Sequence, residues 1–232
     1  MKRCLMALMS VTALAGGLLA GCGDDDTEAS SATAVEFVGT VDGSDAFIAL
    51  AVDGDTATAY ICDGAEEWGD YEGTVVDGVV AAESIDGSEI GADLDGDSIS
   101  GTVTFADGSV HQFAARVATG DAGLYTELET VGDQTTLRHW IRLGDGSVRG
   151  KVVAAVAGSD LTGTGESAGG IPPGASQPEP DGAIKCARAA LAYRRAVADR
   201  SPVDSEDPRA AELDIAVAEA HQRFLAACSA VG

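Results

Sequence analysis

Three carboxylates at alternate positions, Asp93, Asp95 and Asp97, are the first residues whose type and spacing point to chemistry. Calcium takes about six to eight oxygen ligands, and alternate acids supply several of them where the backbone loops tightly around the ion. Counted from Asp93, a helix–loop–helix calcium loop needs Gly at its sixth position and Glu at its twelfth, and this chain has Ser98 and Thr104 there. On the end of a strand, Asp93 and Asp95 point to one face and wrap nothing. The three acids are thus a calcium candidate without a coordination sphere, and no metal site is expected. The histidines, His111, His139 and His221, are scattered, with no His-Glu-x-x-His or Cys-x-x-Cys companion, so no zinc centre is expected either. His111 and His139 fall in strand-like stretches, where they are expected exposed or hydrogen-bonded.

Two serines sit in suggestive runs. Gly165-Glu166-Ser167-Ala168-Gly169 fits the Gly-x-Ser-x-Gly pattern of a nucleophile held on a strained turn between a buried strand and a helix. Here a Gly-rich run precedes Ser167 and Ile171-Pro172-Pro173 follows it, so neither flanking element is expected. Gly96-Asp97-Ser98 resembles the first block of the GDSL-type hydrolases, but the later Asp-x-x-His that supplies their base does not occur. A hairpin turn over Asp95-Gly96-Asp97 accounts for the same residues. The reading is of a chain with no catalytic residues and no cofactor.

Cysteine carries the most specific signal. Lys2 and Arg3 precede a mostly apolar run from Leu5 to Leu19, and Leu19-Ala20-Gly21-Cys22 follows. The run is short for a bilayer span, which needs about 20 apolar residues, and has the order of a secretory signal. The pattern resembles the bacterial lipoprotein signal family. That resemblance implies cleavage after residue 21, a diacylglyceryl group on the Cys22 thiol, and a membrane partner reached through this anchor. The expected place is the cell envelope: the outer face of the cytoplasmic membrane, or the outer membrane in a diderm. Residues 22–33, rich in Asp and Ser, read as an acidic tether.

Loss of Lys2 and Arg3 would lower the formal charge from −24 to −26. The acids are unevenly placed: residues 34–115 hold 18 Asp or Glu and no Lys or Arg, whereas residues 183–232 hold seven of each. An acidic field of this kind repels nucleic acid and anionic headgroups, so no nucleic-acid partner is expected.

The elements that would position these residues are legible from turn chemistry. Asp-Gly pairs recur at 42, 53, 77, 86, 95, 107 and 145, separated by short strand-like runs. Asp-Gly suits tight hairpins, whose central positions need positive φ. Residues 34–157 are therefore expected to form an antiparallel meander of about eight to eleven strands, closed as a barrel or folded as a sandwich. Gly-Thr-Val occurs at 39–41, 73–75 and 101–103, and a glycine inside a strand often marks a sheet corner. The runs AYICDG at 59–64, GTVVDG at 73–78, GTVTFADG at 101–108, AGLY at 122–125 and WIRLGDGS at 140–147, with Trp68 and Phe113, resemble a group of secreted or lipid-anchored actinobacterial proteins of unknown function. That resemblance implies a β-rich extracytoplasmic domain and brings no catalytic residues.

Residues 158–182, rich in Gly, Ser and Pro, read as a linker. Residues 183–232 read as an α-helical hairpin, so the fold class is mainly β plus α. Cys186, Ala190, Tyr193 and Val197 repeat on the first helix, and Leu213, Val217, Ala220, Phe224 and Ala227 on the second. Antiparallel helices would bring Cys186 to Cys228 at the open end of the hairpin, and an exported chain lets them form a disulfide. Cys62 is expected to be a buried small residue. The composite reading is a lipid-anchored envelope protein with a non-enzymatic binding or scaffolding role toward an unknown envelope protein or small ligand. A carrier of a small apolar ligand inside a barrel is the alternative, with an envelope hydrolase behind both.

Overall fold

The computed structural model describes residues 34–131, 134–156, 162–167, 170–172, 175, 177 and 180–229. Cys22, the signal run and the acidic tether lie outside them.

Eight antiparallel strands form a closed barrel: β1 (Val35–Val41), β2 (Phe47–Asp53), β3 (Thr56–Cys62), β4 (Trp68–Val76), β5 (Val79–Ser84), β6 (Glu89–Asp95), β7 (Ser98–Thr104) and β8 (Val110–Val117). Each strand pairs with the next, and β1 closes on β8 with Phe37 opposite Val117 and Val41 opposite Phe113. Closure removes the unpaired edges that an open sheet would expose. Asp77 and Gly78 both take positive φ, 52° and 81°, which is the conformation a two-residue hairpin turn needs and Asp-Gly tolerates.

The three Gly-Thr-Val glycines have a shared reason. Gly39, Gly73 and Gly101 occupy inward positions where a β-carbon would overlap the carbonyl oxygens of Ala114, Ala81 and Gly91, respectively. The strands coil tightly here, and only a residue without a side chain allows the approach. The rest of the interior is filled by a buried apolar cluster in which Phe37, Ile48, Leu50, Ile61, Ile99 and Phe113 are each at most 2% exposed. Eight strands enclose a space that side chains of this size can fill. Each such side chain contributes about 1.5–3 kcal/mol by leaving water.

The chain then leaves the barrel and forms a second sheet from β9 (Gly123–Val131), β10 (Gln134–Arg142), β11 (Val148–Val156) and β12 (Thr162–Ser167), in spatial order β12-β11-β10-β9. The single meander expected over 34–157 is thus two sheets. β12 lies within the stretch read as linker; its Thr-Gly-Thr-Gly-Glu-Ser run has no apolar alternation that would mark a strand. The sheet lies on the outer wall of the barrel, where Leu124 and Ile141 meet Val38, Phe47, Ala49 and Tyr60.

Two helices follow, α1 (Pro180–Arg200) and α2 (Ala210–Ser229), joined at the far end by Cys186–Cys228. The expected stripes are largely observed: Cys186, Ala190, Tyr193, Val197, Ala220 and Phe224 form one buried cluster. The hairpin does not hang free on a linker. Leu137 of β10 enters its core, and Trp68 packs against it. Arg194 reaches Asp70 at 3.0 Å, while Arg188 and Arg195 reach Glu72 at 2.8 and 3.3 Å. The charge-balanced hairpin thus meets the acidic barrel through three of its arginines.

Candidate functional site: a buried polar cavity

Side chains on a barrel strand alternate between interior and outer wall. On β5 and β8 the outward positions face solvent, and Val79 and Val110 are 50% and 63% exposed. On β1 to β4 the outward set includes Glu36, Thr58, Tyr60 and Asp70, and all four are buried. The second sheet and α1 cover them. A small cavity of about 10 Å³ remains at the junction, lined by Glu36, Thr58, Tyr60 and Asp70 from the barrel, His139 from β10 and Ala187 from α1. Such a space accommodates about one water molecule.

Asp70 is the electrostatic centre. Its Oδ2 accepts from Arg194 at 3.0 Å, and its Oδ1 lies 4.0 Å from His139 Nδ1 without a hydrogen bond. The Arg194 guanidinium also stacks over the Trp68 ring, 4.5 Å from its centroid. His139 meets Tyr60 edge to face at a centroid distance of 4.9 Å. Neither ring nitrogen of His139, nor the Tyr60 hydroxyl, has a hydrogen-bond partner among the described residues. A water-sized space beside four unpaired polar atoms is the arrangement in which an internal water is stabilising.

Burial decides the protonation states. It lowers the His139 pKa; Asp70 opposes the shift and Arg194 reinforces it. Burial raises Glu36 to about 7, against the Leu124 backbone N–H, which donates to Oε1 at 2.8 Å, and Gln177. Desolvation disfavours whichever form is charged, so the carboxyl gains proton affinity and the imidazole loses it. Burial likewise raises the Tyr60 phenol, helped by Cys62 and Asp70, and raises the Cys62 thiol.

The residues singled out from sequence are placed as follows. Asp93 and Asp95 lie exposed on β6 and Asp97 lies in the next turn; among the described residues no group of three His, Cys, Asp or Glu could hold a metal ion. Ser98 opens β7, and its hydroxyl donates to the Asp95 carbonyl at 3.0 Å, as a turn residue does. Ser167 ends β12 opposite Lys151, and among the described residues the next helix begins at Pro180. His111 Nδ1 lies 2.9 Å from the Asp42 carbonyl, which fits the expected hydrogen bond. His139 is on a strand as expected but is neither exposed nor hydrogen-bonded, a correction caused by the covering sheet and helix. Cys62 is fully buried, with the Gly64 N–H donating to its sulfur at 3.2 Å.

Sequence reasoning missed Glu36, Tyr60, Asp70 and Arg194 as a group. One signal was present. The runs of β2 and β3, FIALAVD and TATAYIC, are apolar or small on both faces, as strands covered on both sides are. Comparison with protein-family models, with curated proteins and with solved structures finds no match to this chain.

Proposed function

We propose that this chain is a lipid-anchored protein of the bacterial cell envelope with a binding or scaffolding role. The observation that carries the reading is the run Lys2-Arg3, apolar 5–19, Leu19-Ala20-Gly21-Cys22. The Cys186–Cys228 disulfide agrees with an oxidising compartment. The filled barrel interior favours recognition on the outside of the barrel over carriage within it. The outer wall over β5 to β8 is where such recognition would occur. Beside it an open groove of about 530 Å³ runs between Thr40, Ser100, Ala114 and Arg116 on the wall and Leu143-Gly144 of the second sheet.

The test is metabolic labelling with an alkyne fatty acid, followed by membrane fractionation of the full chain and its Cys22→Ala form. The reading expects label and membrane association in the first and loss of both in the second. Equal label in the two chains would remove the anchor. Native mass spectrometry of the purified full chain separates the roles: a retained apolar small molecule would replace the scaffold by the carrier.

A further inference from the structure

The hairpin takes Leu137 into its core and packs against Trp68, but it is also closed on itself by a disulfide. Cys186–Cys228 closes its open end, so it can leave the barrel wall without coming apart. Of its ionic contacts, Arg188 and Arg195 to Glu72 are half exposed, with side-chain exposures of 47% and 48% for the arginines. Such pairs contribute little. Arg194 to Asp70 is the buried one, at 11% and 5%. It is also the pair that His139 approaches from the other side, at 4.0 Å.

Asp70 can satisfy one buried cation well. With His139 neutral, that cation is Arg194. A proton on His139 puts a second positive charge in the same dry space. The groups facing His139 are Asp70 on β4, Tyr60 and beside it Cys62 on β3, Glu36 on β1, Lys151 in register on β11, Thr126 in register on β9, and Arg194 on α1. The local sum is poor in charge able to stabilise an imidazolium, because Arg194 already takes Asp70. Arg194 is the one member near the surface, so it is the one that can turn to water.

We propose that Asp70, His139 and Arg194 form a proton-operated latch for the helical hairpin. A neutral His139 leaves Asp70 to Arg194 and the joint closed; a protonated His139 takes Asp70, displaces Arg194 and lets the disulfide-closed pair lift as a unit. The lifted state exposes the part of the wall that α1 covers, including Asp70 and Glu72, which is an acceptor surface for guanidinium groups.

The opened imidazole has the ordinary value of about 6.5. Below it the opening equilibrium rises as pH falls, by at most about tenfold per pH unit, for one proton taken up on opening. Glu36 titrates in the same cavity, so the experiment uses the full chain carrying Glu36→Gln, with its disulfide intact. Hydrogen exchange of α1 and α2 amides is measured from pH 8 to 5, each rate taken relative to the free-peptide rate at that pH. The latch expects opening to rise as pH falls below about 6.5, by up to about tenfold per pH unit, with barrel amides unchanged, and expects His139→Gln added to the same chain to abolish the rise. Protection of α1 that stays constant from pH 8 to 5, or an equal loss with His139→Gln present, overturns it. Imidazole NMR on the Glu36→Gln chain supplies an arm that needs no change at His139. There, protonation of His139 coincides with loss of α1 protection; an imidazole that charges while α1 stays protected overturns the latch.

Discussion

Glu36 and His139 line one cavity and hold their protons in the reverse of the usual order. In water an imidazole keeps its proton to higher pH than a carboxyl does. Here burial raises Glu36 to about 7 and pushes His139 below its ordinary value. Near pH 6 the unfolded chain therefore holds a carboxylate and mostly an imidazolium, whereas in the folded chain Glu36 is mostly protonated and His139 has lost proton affinity. The two shifts move the proton count in opposite directions, so their effects on stability offset one another in that window.

Their separate signs differ, and substitution exposes them. The folded pKa of Glu36 is raised, so its contribution is present below about 4.5 and lost as pH rises through about 7. Glu36→Gln should leave stability near pH 4.5 almost unchanged and raise it at pH 8 by up to about 3 kcal/mol. Denaturant unfolding at the two pH values measures the difference, and an equal effect at both would contradict the burial argument.

The folded pKa of His139 is lowered, so the folded chain resists its protonation. Stability contributed by the neutral ring is present above about 6.5 and lost as pH falls below it. His139→Gln should flatten the acid side of the stability curve while leaving the alkaline side in place.

The Asp70–Arg194 pair should respond unequally to loss of either partner. Arg194→Met leaves Asp70, 5% exposed, with an uncompensated charge, a change expected to cost about 3–5 kcal/mol. Asp70→Asn leaves a guanidinium that can turn to solvent, and should cost less. Unfolding midpoints of the two chains decide the order.

The coiled corners of the barrel can be tested at glycine. Gly39→Ala, Gly73→Ala and Gly101→Ala each drive a methyl into a neighbouring carbonyl, and each should cost about 1–3 kcal/mol or more. Gly91→Ala meets nothing within 4 Å and serves as the tolerated control.

Thiol chemistry offers a fifth measurement. Cys62 is fully buried and its pKa is raised by burial, so thiol reagents should label it only as fast as the fold opens. Reduction of Cys186–Cys228 should destabilise the hairpin by about 3–4 kcal/mol on the chain-entropy account. It should leave the barrel cooperative, with Cys62 still protected.

The strands and turns of the barrel, though not its closure, were legible because their rules are local. Asp77-Gly78 dictates its own turn, and β5, with Val80 and Ala82 inward and Val79 and Glu83 outward, carries its own alternation. The disulfide was legible because two helical stripes in an antiparallel pair fix which ends meet. The polar cavity was not, because its members are far apart in sequence and each looks ordinary alone. Glu36 and Asp70 sit at positions that a bare barrel would show to water. Only the arrival of β10 and α1, some 70 to 150 residues later, turns them into buried groups.

The closure of β1 on β8 has a mechanical side. Ala34 stands directly before β1, and β1 is held by β2 on one flank and β8 on the other. A pull applied at Ala34 runs along the strand. It must shear two hydrogen-bonded ladders at once, because the pull does not peel them apart one bond after another. Val41 at the far end of β1 is bonded to Ala46, and Asp42 just beyond it to Gln112. Load entering at Ala34 is therefore spread over three strands before any one of them can slip.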